Sequence, residues 1–206
     1  MPVPVPGTVY LRTSVAVPDI IPHPVRLALA ALVLLAPALS AQVPERAVFL
    51  VRMGADTLAV ERATRNGAQL EGTLVMRTPL LRIGQRVTLS DSGTVVRVAT
   101  AMSVGASGDS VQQRAELAFR GDSAFSHVED TRAATPAPDR RFAVVPGSIP
   151  LLNLSGLSLE LLLRRARALG GDTVRVPILL LTGQSLTATV TRIGADSALV
   201  SLAGVA

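Results

Sequence analysis

The sequence predicts a mainly β protein, a curved antiparallel sheet or half-barrel of about 9–11 strands with one amphipathic helix at 158–169. Three observations predict it. From Ala47 onward apolar and polar residues alternate with a period of two. The turns between alternating runs share one chemistry, since seven of the nine aspartates precede Ser or Thr, mostly after Gly or Ala. A single segment, SLELLLRRARALGG at 158–171, changes to a helical period.

The alternation is clearest at 69–77, where Leu70, Leu74 and Met76 oppose Gln69, Glu71, Thr73 and Arg77. It recurs at 111–120, with Val111, Ala115, Leu117 and Phe119 against Gln112, Arg114, Glu116 and Arg120. Such runs are the mark of antiparallel strands with one wet face. Weaker alternation covers 47–53, 57–64, 86–90, 94–102, 123–129, 141–145, 174–181, 186–192 and 198–203. The strings GADT, SGDS, RGDS, GGDT and GADS punctuate these runs: glycine supplies positive φ, and Asp, Ser and Thr side chains bond nearby backbone. They delimit a meander.

In the helical segment Leu159, Leu162, Leu163, Ala166 and Leu169 share a face, with Glu160, Arg164 and Arg167 opposite. Ser158 suits the N-cap, Glu160 the first turn, Arg167 the last turn and Gly170 the C-terminal cap. Ahead of the helix, TRAATPAPDRR (131–141) reads as an exposed linker and VPGSIP (145–150) as a stiff turn.

The first 41 residues read as an N-terminal extension and signal peptide. Arg26 precedes ten apolar residues, Leu27 to Ala36, and the small-residue stretch Pro37 to Ala41 follows. Cleavage after Ser40 and after Ala41 both fit. The apolar run falls short of the roughly 20 residues that span a bilayer, so no stable membrane span is expected after cleavage. The preceding 25 residues hold six prolines and Asp19, which suits translation from a start near Val25 better than one long leader. Residues 42–206, about 165 in number, are enough for one domain. A periplasmic or secreted location follows.

Cysteine is absent, which excludes disulfides, thiol chemistry and a lipidated cysteine. The net charge is +5 and every basic residue is arginine. The arginines are scattered and aromatics make up 2% of the chain, a pattern that does not suit nucleic acid. The densest cluster, Arg164, Arg165 and Arg167, lies on the helix and reads as its solvated face.

No catalytic, cofactor or metal site is assigned. His127, Glu129 and Asp130 hold metal-ligand side chains, but His127 and Glu129 supply only two ligands to one strand face, where zinc takes three or four. Arg120-Gly121-Asp122 spells an adhesion tripeptide, yet Gly-Asp-Ser and Gly-Asp-Thr turns recur at 108–110 and 171–173 without the arginine. Gly183-Gln184-Ser185-Leu186-Thr187 lacks the closing glycine of a serine elbow. Nearly all the carboxylates sit in turns or on wet faces, which argues against a glycosidase pair without excluding one. The apolar face and the stretch Ile149 to Leu163 read first as core, and second as the wall of an apolar cavity between sheet and helix.

The order of GADTLAVER, GAQLEGTL, a strand meander, VPG, a leucine-rich helix and GGDTVRVPILL with a further hairpin resembles a family of uncharacterised periplasmic proteins sharing a domain of unknown function. The resemblance spans 47–203 and is closest over 145–177. It implies a curved sheet wrapped on a helix, in the manner of lipoprotein carriers of the bacterial envelope, and carries over no catalytic residue. The family runs on through further strands after the hairpin, so truncation at LAGVA, with an unpaired strand edge open to pairing, is an expectation. Proteins with similar segments look like accessory domains beside hydrolases. The expected function is therefore a non-catalytic envelope protein that binds lipid or another envelope protein, with an accessory domain of a secreted hydrolase as the alternative.

Overall fold

The structure is a computed structural model that describes residues 44–203 apart from 78, 106–109, 195 and 196. The signal segment at 26–41 and the start near Val25 lie outside the described residues. Eight strands form one sheet in simple sequence order: β1 (Glu45–Met53), β2 (Asp56–Asn66), β3 (Gln69–Met76), β4 (Leu81–Leu89), β5 (Val95–Val104), β6 (Val111–Arg120), β7 (Ser123–Asp130) and β8 (Arg140–Ala143). Every neighbouring pair is antiparallel. A second, four-stranded sheet has the order β12 (Ala198–Ala203), β11 (Ser185–Arg192), β10 (Thr173–Leu180) and β9 (Ile149–Leu151). The helix α1 (Gly156–Leu169) connects β9 to β10, which lie parallel, as a crossover connection requires.

The fold is thus mainly β with one helix, as the alternation predicts, and among the described residues neither sheet closes into a barrel. Register shifts at Val51/Arg52, Thr88/Leu89 and Met102/Ser103 insert extra residues of the kind that bend and twist a sheet. Among the described residues twelve strands stand where the sequence suggests about eleven. The added one is β9, inside the segment read as a stiff turn: Ser148 N–H donates to Val145 O at 3.0 Å, and pairing begins one residue later. Pro150 is tolerated because β9 is an edge strand. Likewise β4 starts at Leu81 rather than near 86, because Gly84 and the inward-facing Gln85 interrupt the apolar alternation.

The helix begins earlier than its periodicity suggests. Ser155 is the N-cap and its Oγ accepts from Ser158 N–H, so Ser158 lies within the first turn instead of capping it. The buried face is Leu157, Leu161, Leu162 and Ala166, with Leu159 and Leu163 half-buried and Leu169 exposed. That face is rotated towards Leu157 and Leu161 because α1 meets both sheets. Gly170 caps the end at φ 75°, donating to Ala166 O and Arg167 O.

The main apolar cluster joins both sheets and the helix: Phe49, Leu70, Val87, Val98 and Leu117 from the first sheet meet Leu157 and Leu162 of α1 and Val176, Ile178 and Leu179 of β10. Burying a side chain such as Leu162 or Ile178 is worth roughly 1.5–3 kcal/mol. A second cluster, Val51, Ala59, Leu74 and Ile83, is covered by Leu152 and Leu154 from the turn before the helix. The helix start sits so close to β1 that a Cβ on Gly156 would collide with the Cβ and ring of Phe49. Overpacking of this kind costs about 1–3 kcal/mol, so Gly156→Ala is expected to lower the thermal midpoint, as differential scanning calorimetry would read.

Candidate functional site

Three polar or hollow regions stand out against this frame. The first is buried. On β2 the inward residues are Ala59, Glu61 and Ala63, and Glu61 is fully inaccessible to solvent. Its Oε1 accepts from Gln85 Nε2 of β4, and its Oε2 accepts from Leu157 N–H at 3.0 Å and from Ser155 Oγ at 3.2 Å. Gln85 Nε2 also donates to Ser155 Oγ at 2.7 Å. The space for this arrangement comes from Gly72 on the intervening strand, where a Cβ would stand 2.7 Å from Glu61 Oε1 and 3.0 Å from Gln85 Cγ. The carboxylate therefore occupies the N-terminus of α1, where free N–H groups and the helix dipole favour a negative charge. Glu160, expected in that role, instead pairs with Arg164 at 2.7 Å one turn along the helix.

Each donor around Glu61 ties the helix start to the sheet. The carboxylate acts as a latch. Glu61→Ala would leave the Gln85 amide, the Ser155 hydroxyl and the Leu157 N–H short of an acceptor, at a cost of roughly 3–5 kcal/mol. Glu61→Gln keeps an acceptor and, with the Gln85 amide reversed, is expected to cost only about 1 kcal/mol. Urea unfolding of both variants checks the order.

The second region is a shallow furrow on the outer face of the eight-stranded sheet, about 450 Å³ in volume. Two cross-strand rows line it, Glu71, Arg86, Ala99, Glu116, His127 and Thr73, Gly84, Ala101, Arg114, Glu129. Small residues make the floor and charges the walls. Glu71 pairs with Arg86 at 2.8 Å, and Glu116 pairs with Arg97.

His127 Nδ1 lies 2.6 Å from Asp139 and Nε2 3.4 Å from Glu129, whereas Asp130 turns to the backbone N–H of Arg132 at 2.9 Å. The sequence grouped His127 and Glu129 with Asp130, and the structure substitutes Asp139 from the linker. Among the described residues no group of three or more His, Cys, Asp or Glu is arranged to hold a metal ion. The Asp139 hydrogen bond, then the one to Glu129, raises the His127 pKa above its ordinary value, while the Arg132 N–H lowers that of Asp130. A raised histidine pKa stabilises the fold fully below the unfolded value of about 6.5, and that contribution is lost as pH rises through the folded value. Asp139→Asn is expected to move the His127 titration seen by NMR to lower pH.

The third region is a cleft of about 320 Å³ between the C-terminal half of α1 and the four-stranded sheet. Leu163 and Ala166 form its helical wall and Val174, Val190, Ala198 and Val200 its sheet wall. Arg167, Arg192 and Asp172 also line it and are exposed. The sequence offered core as the first reading of the apolar face and of Ile149 to Leu163, and an apolar cavity between a curved sheet and the helix as the second. Over the eight-stranded sheet that space is filled by Phe49, Leu157, Leu161 and the Glu61 latch, and the opening lies over the smaller sheet instead.

The remaining motifs lie at turns between strands. Arg120-Gly121-Asp122 joins β6 to β7: the Arg120 guanidinium stacks 5.5 Å over Phe125, and Asp122 Oδ1 accepts from Ser123 Oγ at 2.9 Å. Gly183 and Gln184 form the β10–β11 turn, and Ser185 opens β11. Among the described residues no helix is long and apolar enough to cross a membrane. On edge strand β1, Val48 and Leu50 point outward at 62% and 51% exposure. Comparison of the chain with protein-family models, curated proteins and solved structures returned no match, so neither an enzyme family nor a relative is identified.

Proposed function

We propose that the protein is an exported, non-catalytic binding domain of the cell envelope that holds an apolar ligand in the cleft between α1 and the four-stranded sheet. The observation that carries this reading is the cleft itself: six apolar side chains from the helix and three strands face a space of about 320 Å³. Ligand sites are concave, mostly apolar hollows with a few polar groups at fixed places, commonly about 300–1,000 Å³ in size. Export is supported by the basic, apolar, then small order of residues Arg26 to Ala41. A binding role in place of a catalytic one is supported by the arrangement of the polar groups. The buried carboxylate is spent on the helix, and the one described histidine sits exposed between two carboxylates on a different face.

The experiment is native mass spectrometry of the protein isolated from its envelope, beside Ala198→Trp. Ala198 is half-buried on an edge strand, where an indole has room to enter the cleft without displacing the core. The wild-type chain is expected to carry a bound apolar molecule, and the variant to lose it while keeping the thermal midpoint of the ligand-stripped wild-type chain. Ligand-free spectra, together with no uptake of added lipid by the wild-type chain, overturn the reading.

A further inference from the structure

The cleft is not uniformly apolar. Arg167 reaches it from the last turn of α1, Arg192 from the end of β11, and Asp172 from the entry to β10. These come together because β10 and β11 pair antiparallel, with Arg192 N–H donating to Asp172 O at 2.7 Å, so the end of β11 lies beside the turn that leaves the helix. Among the described residues the charged lining of the cleft is therefore two guanidinium groups against one carboxylate. Both arginines are exposed while Leu163, Val174, Ala198 and Val200 are half-buried, which sets charge at the mouth and hydrocarbon at the floor.

From this division we infer that the ligand is an anionic amphiphile, a single acyl chain ending in a carboxylate or phosphate, with the chain on the valine and leucine floor and the head group between Arg167 and Arg192. The inference rests on the cleft being the binding site. Guanidinium groups suit such a head because they offer planar paired donors to a carboxylate or phosphate, and they do so at modest dehydration cost. An ammonium head would meet two like charges, and a hydroxyl head would gain no charged hydrogen bond. The acyl chain is the source of the affinity, and the head group selects.

The test is displacement of Nile red, a neutral apolar dye, by decanoate, decyl phosphate, decylamine and decanol at neutral pH. Decanoate and decyl phosphate are expected to displace the dye at concentrations about tenfold or more below decanol, the scale of one charge-assisted hydrogen bond, with decylamine weakest. The double substitution Arg167→Gln with Arg192→Gln is expected to erase that preference and leave decanol displacement unchanged, a result that loss of folding would not give. Equal displacement by decanoate and decanol overturns the head-group assignment while the cleft remains the ligand site. Failure of all four compounds, or dye binding that is indifferent to Ala198→Trp, overturns the cleft reading and this one with it.

Discussion

The constraint on which the rest of the structure depends is the placement of one carboxylate, Glu61, with no access to solvent. An ionised side chain taken out of water loses several kcal/mol that only close donors can return. On this sheet the donors are the Gln85 amide, the Ser155 hydroxyl and the Leu157 N–H, so the carboxylate is satisfied only when α1 starts directly above β2 to β4. Gly72 is the third party to that geometry, since any side chain there would occupy the space of the carboxylate and the amide. Apolar packing alone would let a leucine-rich helix slide along a greasy sheet. A hydrogen-bonded charge permits one position.

That position divides the interior. Glu61, Gly72 and Gln85 lie on neighbouring strands, each between a residue of one apolar cluster and a residue of the other: Ala59 and Ala63, Leu74 and Leu70, Ile83 and Val87. The chain before the helix, with Leu152 and Leu154, covers one side, and Leu157 to Ala166 cover the other. From a fixed start, fourteen helical residues advance about 21 Å, which carries the second half of α1 off the large sheet and over β10 to β12. There Leu163 and Ala166 meet strands whose apolar residues they only partly cover. The cleft is the consequence of where the helix is latched.

How much of this was legible in the sequence depended on whether the pattern carried the physics. Alternation at 69–77 and 111–120 reports a sheet with one wet face, and the Asp-Ser and Asp-Thr turns report its hairpins, so the meander could be read directly. β9 escaped because three residues with a proline hold too little pattern to separate a strand from a turn. Glu61 escaped for a deeper reason. In DTLAVERATRN the larger apolar residues Leu58 and Val60 face outward while Ala59, Glu61 and Ala63 face inward, so period and hydrophobicity point to the wrong face. A buried carboxylate is indistinguishable in sequence from a solvated one until a distant segment, here Ser155 to Leu157, is brought to it. The N-cap assignment failed with it, since Ser158 has the right chemistry three residues too late and the first-turn acid comes from another element. The cleft, likewise, is a relation between α1 and three strands that no local pattern encodes.

The outer furrow and the cleft show why arginine content by itself says little about ligands in this chain. Along the furrow Arg86 meets Glu71 and Arg97 meets Glu116 across neighbouring strands, and His127 stands between Asp139 of the linker and Glu129 of its own strand. Such exposed pairs are screened by solvent and contribute little to stability. Among the described residues several arginines stand outside such pairs, and Arg192 Nε donates to Gly194 O at 3.2 Å, so pairing by itself is no signal. What separates Arg167 and Arg192 is their setting at the rim of an apolar hollow, where a bound chain would exclude water and strengthen any charge-assisted contact made at the mouth. The same desolvation that makes Glu61 hold the helix in one place would, at the other end of that helix, make two surface guanidinium groups discriminate between head groups.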